Sequence, residues 1–192
     1  NIVEPGDYFE SGWPDGPGPV FDRIRNVGAR VGLWFDSSLR KWSIGRNPDV
    51  ASCGITDERG FISKAINEIG TGEFDGGGIL CRASEPYKSL FGEGIRTHIR
   101  QNGVRLFKFD NLFKNCWNED HGHRIGKYSI GAICSSVIEN LEAWDREDPD
   151  LFLMGYWGYR SPWWLRWLDT IYESGLYIEA GQPCAWETKY KR

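Results

Sequence analysis

The residues best placed to do chemistry lie at the end of an apolar run, Leu106-Phe107-Lys108-Phe109-Asp110-Asn111. Side chains two positions apart on a strand share a face, so Lys108 and Asp110 would stand side by side. The ammonium would hold Asp110 ionised, as a nucleophile requires. A structural salt bridge at the start of a loop would use the same pair. A second carboxylate, Glu173, follows Thr170-Ile171-Tyr172, with Asp169 and Glu179 competing for its role. Two carboxylates from different strands converging on one mouth are the minimum apparatus for glycoside hydrolysis. One attacks or stabilises and the other donates a proton, which requires environments that push their pKa values apart.

Other clusters carry less. His121-Gly122-His123, with Cys116, Glu119 and Asp120 nearby, has the residue types of a metal site. No second ligand pair lies at a useful spacing along the chain, so this stretch reads as a polar loop and no metal is expected. His98 falls on the apolar side of a helical pattern and reads as a core histidine. Gly76-Gly77-Gly78 precedes an apolar run and lacks both the phosphate-loop lysine and the dinucleotide fingerprint, which excludes nucleotide binding there. Ser37 and Ser161 have no matched histidine and acid, which argues against a serine hydrolase. No organic cofactor is expected.

Strand and helix signals alternate along the chain. Val20–Asn26 predicts a short helix stopped at Gly28, and Val31–Phe35 a buried strand. Lys41 to Gly78 reads as loop, with one helix near Phe61–Ile69, and Ile79–Cys81 as a brief strand. Pro86 opens a helix whose apolar face carries Tyr87, Leu90, Phe91, Ile95 and Ile99. Val104–Asp110 is a second buried strand. Ile130, Cys134, Val137, Ile138, Leu141 and Trp144 mark a long amphipathic helix. Leu151–Trp157 is a third strand, Pro162 opens a short Trp-rich helix, and Thr170–Tyr172 is a fourth strand. This alternation predicts an α/β fold with parallel strands, whose carboxyl edge is where ligands bind. A barrel fits the carboxylate placement better than an open sheet.

Composition sets the frame. The chain has 192 residues, 23 Lys+Arg against 27 Asp+Glu and a net charge of −4. That gives no electrostatic case for nucleic acid, and no apolar run reaches the roughly 20 residues of a membrane helix. No signal segment opens the sequence. The cysteines are odd in number and show no CxxC pair, which favours free thiols and a reducing, cytoplasmic compartment. Ten tryptophans and 15% aromatic residues fit either a Trp-rich core or flat surfaces on which sugar rings stack.

Gly32-Leu33-Trp34-Phe35-Asp36, Lys108-Phe109-Asp110 and Gly158-Tyr159-Arg160 together resemble successive active-site strands of the alpha-galactosidase clan. The resemblance is to melibiase-like glycoside hydrolase family 36. It implies a (β/α)8 catalytic barrel that hydrolyses alpha-galactosides with retention. The family's G-[IL]-W-F-E-P-E strand is similar to Val31–Ser38, with Asp36 replacing the first glutamate. Its K-W-D motif is similar to Lys108–Asp110, which implies Asp110 as nucleophile and Lys108 as a sugar-hydroxyl ligand. By position the resemblance implies Glu173 as acid/base and Arg160 as a further hydroxyl ligand. Trp34 and Trp157 would form a stacking wall.

The expected function is therefore a retaining alpha-glycosidase acting on an oligosaccharide or glycoside. A transglycosylase of the same clan and a non-catalytic carbohydrate-binding or structural fragment are the alternatives. Residues 1–192 would form part of one catalytic barrel, about strands three to six, because a complete barrel takes about 250 residues. Its open edges would be covered by the remainder of the barrel or by a homo-oligomeric partner.

Overall fold

The computed structural model describes residues 16–36, 38–39, 48–62, 78–110, 113–156, 158–159 and 161–172. In chain order the elements are α1 (Gly18–Asn26), β1 (Gly32–Asp36), β2 (Ser38–Leu39), β3 (Gly78–Ile79), α2 (Glu85–Arg100), β4 (Leu106–Asp110), α3 (Ser129–Glu147), β5 (Phe152–Tyr156) and β6 (Thr170–Tyr172). The apolar, aromatic-rich runs become strands, as their composition favours. They form one sheet in the order β1-β4-β5-β6, with every neighbouring pair parallel. Strand and helix alternate, and each parallel return is made through a covering segment. The expected α/β class with a parallel sheet is what the chain adopts.

One face of the sheet packs on the helices. Phe35, Phe107, Phe109 and Leu153 are buried there, together with Phe91 and Ile95 of α2 and Val137, Leu141 and Trp144 of α3. Phe109 stacks on Trp144 with ring centroids 5.2 Å apart, and Phe35 meets Phe91 edge-on at 5.9 Å. Trp144 also donates its indole N–H to the Gly92 carbonyl at 3.1 Å, linking α3 to α2. A Cβ at Gly92 would lie 2.9 Å from the Asn140 amide oxygen, so glycine lets the helices approach. At the far ends of these helices Arg100 makes a paired contact with Glu147 at 2.6 and 2.7 Å.

Several local expectations meet the structure directly. Pro86 lies in the first turn of α2, and Tyr87, Phe91, Ile95 and Ile99 form its buried row. Leu90 departs from the expectation: it sits on the flank of that row and is 36% exposed. His98 is a core histidine, 1% exposed, with its Nδ1 3.0 Å from the Asn102 side-chain nitrogen. Gly28, with φ of 77°, follows the end of α1 in a conformation glycine tolerates best. The stretch expected to be loop between Lys41 and Gly78 contains a short 3-10 helix, Pro48–Cys53. It is flanked by a small antiparallel sheet of β2 and β3. The helix expected near Phe61–Ile69 falls almost wholly outside the described residues. No helix among the described residues is long and apolar enough to cross a membrane.

Candidate active edge and a cysteine–histidine cluster

Because β1, β4, β5 and β6 run parallel, their carboxyl ends share one edge. Asp36, Asp110, Tyr156 and Tyr172 are register partners along that edge. One pleat earlier, Trp34, Lys108, Met154 and Thr170 form a second row on the same face. This face lies opposite the helices, and Trp34 there is 62% exposed. The Lys108 ammonium lies 3.7 Å from the Tyr156 ring centroid and 4.6 Å from that of Trp34. Tyr156 and Tyr172 stack with centroids 5.2 Å apart and planes 4° from parallel. The result is an open surface of aromatic faces and a cation, with Asp110 buried at its edge. Those are the groups a polyhydroxylated ring binds through its apolar face and its hydroxyls.

Asp110 is 2% exposed. Behind it sits Tyr159, fully buried between Phe113 and Trp164. Burial pushes the Tyr159 hydroxyl up from its ordinary value; the Arg82 guanidinium opposes this and the Asp110 carboxylate adds to it. Arg82 is itself buried, with its guanidinium 3.6 Å from the Phe91 ring centroid. Burial draws its pKa down against the pull of Tyr87 and Tyr159. Nothing in the spacing of Cys81-Arg82-Ala83 signals a buried cation. Tyr87 and Phe91 of α2 together with Tyr159 surround it.

Of the residues expected at the site, Trp34, Lys108 and Asp110 come together, with Asp36 placed beside Asp110 by strand register. Trp157, Arg160, Glu173 and Glu179 lie outside the described residues. Asp169 is removed from the competition. Its carboxylate accepts the Leu153 N–H at 2.7 Å, and its own N–H donates to the Leu153 carbonyl at 2.9 Å. It thereby caps the amino end of β6, at the edge opposite Asp110. Tyr156 and Tyr172 were not singled out from the sequence, because their pairing depends on strand register. Trp144 and Trp164 are core, while Trp34 and Trp163 are exposed.

The polar-loop reading of His121-Gly122-His123 needs correction. His121 is 7% exposed, and folding supplies the second ligand pair that spacing along the chain could not. Cys81, Cys116, His121 and His123 converge, with their ligating atoms within 4.8 Å of one another. Hydrogen bonding between the two thiols pushes Cys81 up and lowers Cys116 to about 4. Cys53, Cys81, Cys116 and Cys134 are all unbridged.

Comparison with known proteins places the fold. No protein-family model matches the chain, and no curated protein matches it in sequence. Among solved structures it is similar to the GH36 alpha-galactosidase AgaB from Geobacillus stearothermophilus. That match has a TM-score of 0.62 at 11% identity, covering 88% of this chain and 23% of that one. It is similar to a variant of AgaA from the same organism in complex with stachyose, with a TM-score of 0.62 at 12% identity, covering 90% and 24%. The glycoside hydrolase domain of PelA from Pseudomonas aeruginosa gives a TM-score of 0.54 at 11% identity, covering 90% and 64%. The chain spans about a quarter of the length of the GH36 chains. Its fold is that of a parallel-stranded part of the barrel found in GH36 alpha-galactosidase structures.

Proposed function

We propose that the chain is part of the catalytic barrel of a retaining alpha-glycosidase, alpha-galactosidase-like, acting on terminal alpha-linked sugars of an oligosaccharide or glycoside. The observation that carries this reading is Asp110. It is a buried carboxylate at the carboxyl end of β4, in register with Asp36 and Tyr156 and two residues after an aromatic-clamped Lys108. The likeness to alpha-galactosidases, some solved with stachyose or raffinose, supports a sugar in that position.

In this mechanism Asp110 attacks the anomeric carbon while Glu173 protonates the departing glycosidic oxygen. Glu173 then takes a proton from the water that releases the sugar from Asp110. Glu173 directly follows Tyr172 in the sequence, and Tyr172 is at the same carboxyl edge as Asp110. Retention requires them about 5–5.5 Å apart, against roughly 6.5–9.5 Å for inversion. Lys108, Arg160 and Asp36 bind hydroxyls, and Trp34 and Trp157 stack on the ring. The double displacement uses no cofactor. The open edges of the sheet are covered by the remaining barrel or by a second copy.

The test is hydrolysis of nitrophenyl alpha-galactoside and related alpha-glycosides. The reading expects turnover by the unaltered protein. Asp110→Asn should lower kcat by about a thousandfold while sugar binding persists. Activity that survived Asp110→Asn would remove Asp110 as the nucleophile. Sugar binding with no turnover by either protein would favour a non-catalytic carbohydrate-binding role.

A further inference from the structure

We propose that Cys81, Cys116, His121 and His123 bind a structural zinc ion that ties together the loops leading into the two long helices. The donor set is Cys81 Sγ, Cys116 Sγ, His121 Nδ1 and His123 Nε2. Cys81 Sγ lies 3.3 Å from His123 Nε2, and Cys116 Sγ lies 3.3 Å from His121 Nδ1. All the ligating atoms lie within 4.8 Å of one another. Zinc bonds of about 2.3 Å to sulfur and 2.0–2.1 Å to nitrogen give a tetrahedron with edges of roughly 3.3–3.8 Å. The cluster is therefore close to the size a zinc ion requires. Two thiolates and two imidazoles favour zinc over calcium or magnesium, which take oxygen donors.

The surroundings orient every ligand. His121 Nε2 donates to the Ser52 carbonyl at 2.8 Å, and His123 Nδ1 donates to the Arg124 carbonyl at 3.1 Å. A carbonyl only accepts, so in each ring the proton sits on the outer nitrogen and the inner nitrogen keeps its lone pair. Backbone N–H groups of Ala83 and Ser84 face the Cys81 sulfur, and those of Thr56 and Asn118 face the Cys116 sulfur. Such donors stabilise sulfur as thiolate. Asn118 caps the short turn Glu119–His121 by accepting the Asp120 N–H at 3.0 Å. Gly122, with φ of 71°, reverses the chain so that both histidines face inward.

Cys81 and Cys116 are 0% exposed and His121 is 7% exposed, so four protein ligands would close the coordination sphere. A closed sphere is structural, with no position left for substrate. Cys81 belongs to the segment between β3 and α2. Cys116, His121 and His123 belong to the loop between β4 and α3. The ion thus fastens the chain that leaves Asp110 to the chain that enters α2. None of its four ligands belongs to the carboxylate edge, so the ion would persist whatever reaction that edge performs.

The experiment uses the whole chain, produced with zinc available and purified with thiols reduced. Metal analysis should find about one zinc per chain in the unaltered protein and in the Cys53→Ser and Cys134→Ser controls. Cys81→Ser and Cys116→Ser should reduce zinc content at least tenfold. Replacing zinc by cobalt should give the visible absorption of a tetrahedral ion and a thiolate-to-metal charge-transfer band. If the serine variants fail to fold, His123→Cys carries the test, because it keeps the metal and strengthens that band through a third sulfur. The proposal is overturned if the unaltered protein neither contains nor takes up zinc or cobalt. A Cys81–Cys116 disulfide in the freshly isolated protein would also overturn it, as would retention of zinc by the Cys81→Ser, Cys116→Ser double variant.

Discussion

The Lys108 ammonium lies 3.7 Å from the centre of the Tyr156 ring, across the boundary between β4 and β5. An aromatic face is attractive to a cation yet takes none of its hydrogen-bond donors. Lys108 is thereby held between the Tyr156 and Trp34 rings on the face of the sheet opposite the helices.

Lys108→Met keeps much of the stem and removes the charge. It should lower kcat/KM by about 10- to 100-fold, the range of a charge-assisted hydrogen bond. Thermal denaturation should move little, since the side chain lies outside the helix-covered core. Steady-state kinetics beside a melting curve separates the two effects.

Two tryptophans should respond oppositely to truncation. Trp34 is 62% exposed, so Trp34→Ala should change stability by no more than about 0.5 kcal/mol while raising KM for a sugar substrate. Trp144 is 1% exposed, stacks on Phe109 and donates to the Gly92 carbonyl. Trp144→Ala should cost about 3–5 kcal/mol, read by denaturant unfolding.

Much of the scaffold was legible because its signals are local. β1, β4 and β5 are largely apolar stretches, with Lys108 the one charged residue inside β4, and α2 and α3 repeat apolar residues at helical spacing. Asp110 could be placed at a strand end because Asn111 breaks the apolar pattern there. Other features depend on distance in space. β2 and β3 are two residues each, too short to show a period. The Tyr156–Tyr172 stack exists only once β5 and β6 are in register. Cys81 and His123 are 42 positions apart, so spacing rules for metal ligands could not join them. Leu90 shows the limit of periodicity, since a residue on the flank of an apolar row can face either the core or water.

Gly155 in β5 leaves no room for a side chain. A Cβ there would lie 2.7 Å from both Leu168 and the Tyr159 ring. Gly155→Ala should cost about 1–3 kcal/mol by overpacking and lower the Tm by several degrees. It should also disturb Tyr159, which lies beside Asp110, so activity should fall further than stability.

The Arg100 contact sets an acid limit on the pairing of α2 with α3. Its hydrogen bond to Glu147 holds that carboxyl below the ordinary value of 4.5. The folded chain therefore favours the ionised form. The stabilisation is complete above about pH 4.5 and is lost as pH falls through the lower folded-state value. Glu147→Gln should melt slightly below the unaltered protein at pH 7, and the two melting curves should merge well under pH 4.5.

The most direct measurement of the central claim is to trap the glycosyl-enzyme. The whole chain is incubated with an activated fluorinated alpha-galactosyl donor, whose intermediate hydrolyses slowly. Intact mass should rise by one fluorinated glycosyl unit, and peptide mapping should locate it on Asp110. A label on another carboxylate would contradict the account, as would turnover of an alpha-galactoside with inverted product and no label.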